Sequence, residues 1–572
     1  MTGPSRFAAS APASPPRVVA YLPTRIPSLV IGLLTPLSRL AESGAIRLAA
    51  TASLRHLHLQ DFDILCICRG VKPADMSSLA RIKRSGKKLV TDIDDNLFDI
   101  DFATDVGRSF RHPKNIYTLQ RQLEMSDAIH VYNRFMKQKV ERYNDNVIMF
   151  GGYFDVAALA DVKPARDDAK IRIAYPTSRL ADDTLSDIFA SALRRYMDRA
   201  KVEVEVYVWG GIPQPLRGIR NVVVLPPNWD YAEFVRDFYR AGFDIGLAPM
   251  HDDAFHAGKT DNKYREYGGC GIAGIYSRHD PYLDCVRHGE TGLLVANREE
   301  EWLAALEQLA ENPELRRRIS SRARSDVERC YSLDVFCDEW RKLIERARAS
   351  NKPCQPVPVR AVRVAVATQT DAAMVRYKSL MTSARILDRE LSRAEPDLAD
   401  ILFCDHAHQA LQQEGALPPA IDLACAPTGP EIETLRARAA HVIVSTPHQD
   451  EHRPGLLEIE SLPPGKDIGD HLRDEAICSE DSPVLSWARL IDRLSELPAK
   501  APSRRSPSTA FWNKAAHRCL LMINRMRSLF LHIPSRRAWK ILSKRLADRV
   551  WLWQLNQKLR AHAKNRPLRD MV

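Results

Sequence analysis

The sequence predicts an α/β protein made of two tandem Rossmann-like domains, followed by a third, smaller α/β domain and a helical, basic tail. Three observations carry this prediction. Strand-like and helix-like segments alternate between residues 17 and 160, the same plan restarts over residues 161–350, and a proline-rich linker at 351–358 precedes further apolar segments. Regular alternation of this kind is typical of parallel sheets covered by helices on both faces.

The composition is ordinary for a globular protein and excludes several other classes. A length of 572 residues indicates roughly three to four domains. The 11 cysteines include no CxxC pair, which argues against a zinc site or a disulfide framework and favours a reducing compartment. Residues 1–16 are rich in Pro, Ala and Ser, so we expect disorder rather than a signal peptide, and no apolar run is long enough to span a bilayer.

The first domain, residues 17–160, begins with the strand RVVAYLP, and Pro36–Ser43 belongs to the helix that follows. FDILCICRG has the nearly continuous apolar character of a strand that is buried on both faces. After the helix MSSLARIKRSG, the strand KKLVTDIDDNLF leads into an acidic loop with Asp92, Asp94 and Asp95. A helix ending at Met125, the strand AIHVYN, the helix RFMKQKVERY and the strand NVIMFGG complete the domain.

The second domain, residues 161–350, repeats this plan. Its predicted strands are KIRIAYP, VEVEVYVWG, NVVVLPP, FDIGLAPM and GIAGIYS. Two long helices, Glu299–Leu309 and Ser332–Ala349, are predicted to close it. Because ligands of such sheets bind beyond the carboxyl ends of the strands, the cleft between the two domains is the expected site.

A helix predicted near Thr260–Gly268 is the strongest candidate for a ligand site. It carries Lys263 and Glu266 three residues apart, with Lys259 one turn earlier, so the three side chains share one side of the helix start. Two lysines at this spacing repel each other unless an anion lies between them, and a helix N-terminus attracts anions. We therefore predict a diphosphate here, with Glu266 accepting hydrogen bonds from sugar hydroxyls. The alternative is a surface salt bridge worth less than about 1 kcal/mol.

Other candidates flank this helix or lie in the first domain. Gly268 is expected to let the backbone approach a ligand closely, or simply to help end the helix. Thr291, in the turn HGETG, is expected to shape the wall of the cleft. Asp94 or Asp95 is the candidate general base, or an orienting hydrogen-bond acceptor, for a substrate hydroxyl. The alternative for the acidic loop is a turn that caps the next helix.

Residues 359–500 have the pattern of a third α/β domain. The predicted strands are RVAVATQ, ADILFCD, DLACAPT and HVIVST, and no glycine-rich loop or pair of catalytic groups accompanies them. One polar cluster follows a strand, with Asp405, His406 and His408. These groups are potential metal ligands, but two histidines in a loop are more often solvated, and the sequence gives this domain no role.

Residues 504–572 form a tail of different character. Seventeen Lys and Arg stand against two acids there, Asp548 and Asp570, so the tail carries +15 while the rest of the chain has 66 basic and 70 acidic residues. Four of the nine tryptophans interrupt the basic residues. Basic amphipathic helices with Trp bind the surface of anionic membranes. We predict that contact in preference to nucleic acid, and docking on a protein surface is the plain alternative.

The segment KTDNKYREYGGCGIAGIYSRHDPY, followed by HGETGLLV, resembles the donor-binding half of GT-B glycosyltransferases. The similarity is greatest to the retaining family 4 clan and its bacterial polysaccharide relatives, and TDIDDNLFDI is similar to the acidic segment of one subgroup. The resemblance to this family covers about residues 17–350. The resemblance implies a GT-B arrangement in which Arg179, Lys259, Lys263 and Glu266 bind a nucleoside diphosphate sugar as donor substrate, with no further cofactor and no metal.

The sequence departs from the pattern of that family in two places. The family usually has two glutamates separated by seven residues; Glu266 matches the second, but Gly258 stands at the first. The family also has a lysine a few residues after the arginine matched by Arg179, and here Asp182 and Asp183 stand in its place. We expect Lys259 and Lys263 to supply the missing positive charge.

The resemblance therefore implies a cytoplasmic glycosyltransferase of the hexosyltransferase type, and the basic tail predicts that it binds peripherally to the inner face of the cell membrane. It would transfer a sugar to a glycan or lipid-linked acceptor in surface polysaccharide synthesis, with retention of configuration. Two alternatives stay open: a nucleotide-sugar epimerase of the same architecture, and a non-catalytic scaffold that binds nucleotides or carbohydrates.

Overall fold

The computed structural model of the chain describes its first 352 residues almost completely and a part of the remainder. The described residues are 14–24, 26–165, 170–177, 184–226, 228, 230–352, 362–366, 371–387, 391–393, 401–404, 420–423, 441–444, 456–458, 473, 478–496, 551 and 554–555. The chain divides into two compact units. One comprises residues 1–101, 118–354 and 552–572, and the other comprises residues 102–117 and 355–551.

The first unit contains two parallel six-stranded sheets within the described residues, which confirms the predicted pair of Rossmann-like domains. The strands of the first sheet are β1 (Arg17–Tyr21), β2 (Arg47–Thr51), β3 (Ile64–Cys68), β4 (Lys88–Ile93), β5 (Ala128–Val131) and β6 (Val147–Met149). They lie in the order β2-β1-β3-β4-β5-β6. Every residue of β3 is buried, as its continuous apolar sequence predicts. We refer to this sheet and the helices between its strands as the first lobe.

The helices between these strands follow the predicted alternation. They are α1 (Pro27–Leu29), α2 (Thr35–Glu42), α3 (Met76–Arg84), α4 (Asp105–Phe110), α5 (Pro113–Met125) and α6 (Arg134–Glu141), with a π-helical turn over Val30–Leu34 and 3-10 turns at Leu59–Asp61 and Pro73–Asp75. α4 and the start of α5 belong to the second compact unit. Asn133 caps the start of α6, because its side chain accepts a hydrogen bond from the Met136 amide. This cap fixes Asn133 beside the candidate site.

The second sheet forms the second lobe. Its strands are β7 (Ile171–Tyr175), β8 (Val204–Trp209), β9 (Val222–Leu225), β10 (Ile245–Ala248), β11 (Ala273–Ser277) and β12 (Leu293–Val295), in the order β12-β11-β10-β7-β8-β9. Its helices are α7 (Thr184–Met197), α8 (Tyr231–Arg240), α9 (Ala254–Ala257), α10 (Asn262–Cys270), α11 (Tyr282–Cys285), α12 (Glu299–Glu311) and α13 (Pro313–Cys330), with 3-10 turns at Val156–Leu159 and Gln214–Leu216. The core of this lobe packs around the fully buried Trp302.

The last helix of the first unit, α14 (Leu333–Ala349), packs against the first lobe rather than the second. It contacts α2, β4 and β5, and its Phe336 and Trp340 are buried. Both rings lie edge-on to His130, which itself stacks on Phe150 at a centroid distance of 3.6 Å. The order of elements in the sequence predicts this helix as part of the second domain, but its apolar face is buried against the sheet of the first.

The second unit contains a third parallel sheet. Its strands are β13 (Val362–Val366), β14 (Leu391–Arg393), β15 (Ile401–Cys404), β16 (Ala420–Leu423), β17 (His441–Val444) and β18 (Leu456–Glu458), in the order β14-β13-β15-β16-β17-β18. Among the described residues of this unit, two helices accompany the sheet, α15 (Asp371–Ile386) and α16 (Pro483–Glu496). The predicted tail, residues 504–572, lies outside the described residues except for 551, 554 and 555.

Candidate active site

A cavity of about 390 Å³ lies where the two sheets of the first unit present the carboxyl ends of their strands. The first lobe contributes residues that follow β1 and β4, and the second contributes residues that follow β7 and β10. In each sheet the strand order reverses beside the first strand, between β1 and β3 and between β7 and β10. Ligands of open α/β sheets bind at such switch points. The cavity therefore occupies the position that the topology favours for a ligand.

The wall of the first lobe is built on Arg69, which directly follows β3. Its Nε and Nη2 donate to the two oxygens of Asp94 at 2.7 and 2.8 Å, and Nη2 also donates to Asp95 Oδ2 at 2.9 Å. A weaker contact of 3.3 Å joins Nη2 to the hydroxyl of Ser28. Arg69 has φ of 64°, a left-handed conformation that is costly for a long side chain. The forked ion pair offsets that cost and explains why Arg69 is held there.

These contacts decide the charge state of Asp94. Burial alone would raise the pKa of the Asp94 carboxyl. The charge of Arg69 and the hydrogen bonds from Arg69 and Ser28 outweigh burial and hold that pKa below its ordinary value. An ionised carboxylate with a depressed pKa is a weak proton acceptor at neutral pH. The structure therefore places Asp94 as an ionised counter-ion of Arg69, and its role as a general base stays a prediction.

Asp95 joins the two lobes across the cavity. Its Oδ1 accepts a hydrogen bond from Lys259 Nζ at 2.7 Å, and the two side chains are 21% and 18% exposed. The backbone of Lys259 is itself held by the first lobe, because its carbonyl accepts from Asn133 Nδ2 at 2.7 Å. The same amide donates to the carbonyl of Ala257 at 3.1 Å. The backbone of the loop that carries Lys259 is thus fixed by the first lobe, while the ammonium group of Lys259 contacts Asp95 of that lobe.

Gly258 shows why no glutamate stands at the first position of the expected pair. A Cβ at this residue would lie 2.5 Å from Cβ of Asn96 and 2.9 Å from the sulfur of Met136. Asn96 also donates to the carbonyl of Ala254 at 2.9 Å. The loop before α10 therefore packs directly on the first lobe, and any side chain at residue 258 would push the two apart.

Lys263 and Glu266 lie side by side on α10, at a separation of 2.7 Å between Nζ and Oε2. Lys263 lines the cavity, and its ammonium lies 5.9 Å from the centre of the Phe234 ring. The Glu266 side chain is only 6% exposed and backs the lysine from within the lobe. This pair does not project into bulk solvent, as a plain surface salt bridge would.

A histidine that the sequence analysis did not single out also lines the cavity. His256 lies in α9, where Asp253 caps the helix by accepting from the His256 amide at 2.8 Å. The same carboxylate contacts Nδ1 of the ring at 2.7 Å. Burial raises the pKa of Asp253, but these two hydrogen bonds outweigh it and lower that pKa. The signal in the sequence is the spacing of Asp253 and His256, three residues apart at a helix start, just before Lys259.

Two of the predicted donor-site residues, Thr291 and Gly268, lie in the packed interior of the second lobe and do not line the cavity. Thr291 is fully buried, and its hydroxyl accepts a hydrogen bond from the Arg287 amide at 3.0 Å. It holds the turn and does not line the cavity. A Cβ at Gly268 would lie 2.7 Å from a methyl carbon of Val327, so this glycine allows α10 to pack closely on α13. Gly268 does not line the cavity, and the expected approach of its backbone to a ligand stays a prediction.

Some predicted positions fall outside the described residues. These are Arg179 with Asp182 and Asp183, and the cluster of Asp405, His406 and His408. Within the described part of the chain, no group of three His, Cys, Asp or Glu has the arrangement of a metal site. None of the helices described is both long enough and apolar enough to cross a bilayer.

Comparison with known proteins gives matches only at the level of structure. No protein-family model and no curated protein sequence matches this chain. A glycosyltransferase from Rickettsia africae ESF-5 is similar at a TM-score of 0.43 and 12% identity, over 59% of this chain and 99% of that one. The Anabaena protein HepE, solved with UDP and glucose, has a TM-score of 0.43 and 10% identity over 58% and 99% of the two chains. Sucrose-phosphate synthase from Thermosynechococcus elongatus has a TM-score of 0.44 and 10% identity over 59% and 99%.

Proposed function

We propose that the protein is a glycosyltransferase that moves a sugar from a nucleoside diphosphate donor to a hydroxyl acceptor. The observation that carries the proposal is the cavity itself, at the switch points of two Rossmann-like sheets, with acids on one wall and lysines on the other. Lys259 and Lys263 are the cationic groups for a diphosphate. Glu266 lies behind Lys263 and orients it, and it is the partner for sugar hydroxyls once Lys263 has turned towards the diphosphate. The fold alone does not define an activity; the side chains that line the cavity do.

The leaving group explains the need for the lysines. When the bond between the sugar and the phosphate breaks, the electron pair stays on a phosphate oxygen. Ammonium groups and helix N–H groups aimed at that oxygen stabilise the charge that develops there. The start of α10 lies between Lys259 and Lys263 in the chain, and a helix N-terminus favours an anion.

The stereochemical course that we propose is retention, as the family resemblance implies. In a retaining transfer the departing diphosphate takes the proton of the acceptor hydroxyl, and no enzymic base is needed. The contacts of Asp94 and Asp95 support this course, because both carboxylates are already engaged by cations. An inverting transfer would require a base, and His256 backed by Asp253 has the better chemistry for it than Asp94.

The acceptor belongs to the same proposal. We propose a glycan or a lipid-linked acceptor used in surface polysaccharide synthesis, and peripheral attachment of the protein to the inner face of the cell membrane through the basic tail. Removal of residues 503–572 should move the protein from the membrane fraction to the supernatant while the affinity for the donor stays the same. Membrane association that persists after this truncation would end the proposed role of the tail.

A thermal-shift screen with UDP-, GDP-, ADP- and dTDP-sugars tests the donor site. We expect one of these donors to stabilise the wild type, and Lys263→Ala and Glu266→Ala to lose most of that shift. Lys342→Ala is the matched control, because Lys342 pairs with Glu339 at the same spacing and distance on the exposed face of α14. A shift that survives in Lys263→Ala, or that disappears equally in Lys342→Ala, would contradict the proposal.

A nucleotide-sugar epimerase is the second candidate, and one observation favours it. The cavity is lined by His251 and His256, and imidazole is the side chain that most often transfers protons in enzymes. An epimerase needs such groups and no acceptor. Analysis of the donor after incubation distinguishes the candidates: a transferase releases free sugar slowly to water, an epimerase yields an isomeric donor, and a scaffold leaves the donor unchanged.

A further inference from the structure

We infer that Asp95 holds Lys259 in the place of the donor diphosphate, and that donor binding transfers the lysine from the carboxylate to the phosphate. The freed Asp95 oxygen then accepts a hydrogen bond from the acceptor hydroxyl. This inference rests on the proposed function and adds to it an order of binding, with the donor before the acceptor.

The geometry gives each atom a separate task. Asp95 Oδ1 contacts Lys259 Nζ at 2.7 Å, while Oδ2 stays with Arg69 at 2.9 Å. Departure of the lysine would therefore leave the carboxylate oriented by Arg69, with one oxygen directed at the cavity. A hydroxyl that donates to this oxygen would lie beside the bond that breaks.

Only a side chain has to move. The backbone carbonyl of Lys259 accepts a hydrogen bond from Asn133 Nδ2, and the backbone N–H of Lys259 donates to the carbonyl of His256 at 3.0 Å. The four-carbon stem of a lysine has several rotatable bonds, so the ammonium can change partners while its backbone stays fixed. Both ends of the pair line the cavity, so an incoming anion reaches the ammonium without opening the lobes.

The charges favour the exchange. A diphosphate carries more negative charge than one carboxylate and offers several oxygens to a single ammonium. Arg69 continues to compensate Asp95 after the lysine has left. The ion pair with Asp95 nevertheless competes with the donor, because it lowers the fraction of protein in which Lys259 is available.

If Asp95 competes with the diphosphate for Lys259, the Asp95→Asn variant should bind a diphosphate more tightly than the wild type does. Loss of the carboxylate should tighten the binding of a diphosphate, by about three- to tenfold if the pair is worth about 1 kcal/mol. Isothermal titration with UDP and with inorganic pyrophosphate measures this change for the wild type, Asp95→Asn, Lys259→Met and the double variant. Lys259→Met should weaken binding, and Asp95→Asn should give no gain in the Lys259→Met background.

Asp94→Asn is the matched control for charge. It removes the same charge from the same cavity, but the hydrogen bonds of Asp94 come from Arg69 and Ser28, and the charge of Lys259 acts on Asp94 less strongly than these partners do. A general release of electrostatic repulsion would tighten binding equally in both single variants, and that result would overturn the exchange. Thermal unfolding without ligand establishes that each variant is folded, and Asp95→Ser provides a second substitution at the same position.

The outcomes separate the two levels of the argument. Failure of every donor sugar, UDP and pyrophosphate to bind the wild type would overturn the proposed function and the exchange with it. Binding to the wild type that is unchanged or weakened in Asp95→Asn would overturn the exchange alone. A gain in Asp95→Asn that disappears in the Lys259→Met background supports it.

Discussion

The two walls of the cavity differ in how their charged side chains are paired and buried. On the first lobe, Arg69 binds Asp94 through two hydrogen bonds within one wall, and the Asp94 side chain is only 8% exposed. On the second lobe, Lys259 contacts Asp95 and Lys263 contacts Glu266, and both ammonium groups stay partly open to the cavity. A buried charge needs a permanent partner, whereas a partly exposed one can exchange partners at low cost. The first wall is therefore a fixed frame, and the second is the part that is able to respond to an anion.

Removal of Arg69 should break this comparison most strongly. Arg69→Met would leave Asp94 buried without its counter-charge, so we expect a loss of about 3–5 kcal/mol in the free energy of unfolding. Lys259→Met, on the responsive wall, should lose about 1 kcal/mol or less. Urea unfolding of both variants measures the difference. Equal losses would mean that the two walls do not differ in the way described.

A side chain at Gly258 should disturb the contact between the lobes. Gly258→Ala would place a methyl group within 3 Å of Asn96 and Met136, and overpacking of this kind costs about 1–3 kcal/mol. Gly70→Ala is a suitable control, because its Cβ would meet Leu119 at an ordinary 3.6 Å. We expect the larger loss of stability, and weaker nucleotide binding, in Gly258→Ala only. Similar behaviour of the two variants would contradict the close packing of the loop on the first lobe.

The pH dependence of the free energy of unfolding tests whether Asp94 is ionised and paired with Arg69 in the first-lobe wall. The folded pKa of Asp94 is lowered, so its contribution is fully present above the unfolded value, near 3.9, and is lost as the pH falls through the folded pKa. The stability advantage of the wild type over Asp94→Asn should therefore shrink as the pH is lowered from about 5 towards 2. Chemical unfolding of both proteins over this range tests the sign. An advantage that grows on acidification would indicate a raised pKa and an unpaired acid.

The smallest expected effect concerns Thr291. Thr291→Val removes the hydroxyl that accepts from the Arg287 amide, and the loss of one buried hydrogen bond costs about 1 kcal/mol. Because Thr291 does not line the cavity, the affinity for UDP should change less than twofold. Titration of UDP alongside thermal unfolding checks both parts. A large loss of affinity would restore this residue to the donor site.

The sequence predicts local pairs well and pairs between lobes poorly. Lys263 and Glu266 are three residues apart on one helix, so their contact follows from helical geometry. The contact of Lys259 with Asp95 joins residues separated by 164 positions, and no local pattern encodes it. The role of Arg69 is not predicted for a different reason. It follows an apolar strand and takes a left-handed backbone conformation, which no pattern in the sequence indicates.

The prediction of the fold has similar limits. The strands with strong apolar runs are predicted near their observed positions, but β2 and β12 of the first unit and β14 and β18 of the second are missed. β2 lies at the edge of its sheet and is half exposed, so its sequence lacks a continuous apolar run. β12 has only three residues, and the turn HGETG conceals it. Helix α13 is missed because charged residues dominate its sequence, although Leu315, Ile319 and Val327 form a buried stripe.

The most direct test of the account is a crystal structure with the nucleotide that stabilises the protein best in the donor screen. The account predicts the diphosphate in the cavity within about 4 Å of the ammonium groups of Lys259 and Lys263, with Lys259 moved away from Asp95. A diphosphate bound elsewhere on the protein, or a Lys259–Asp95 pair that persists beside the bound nucleotide, would contradict it.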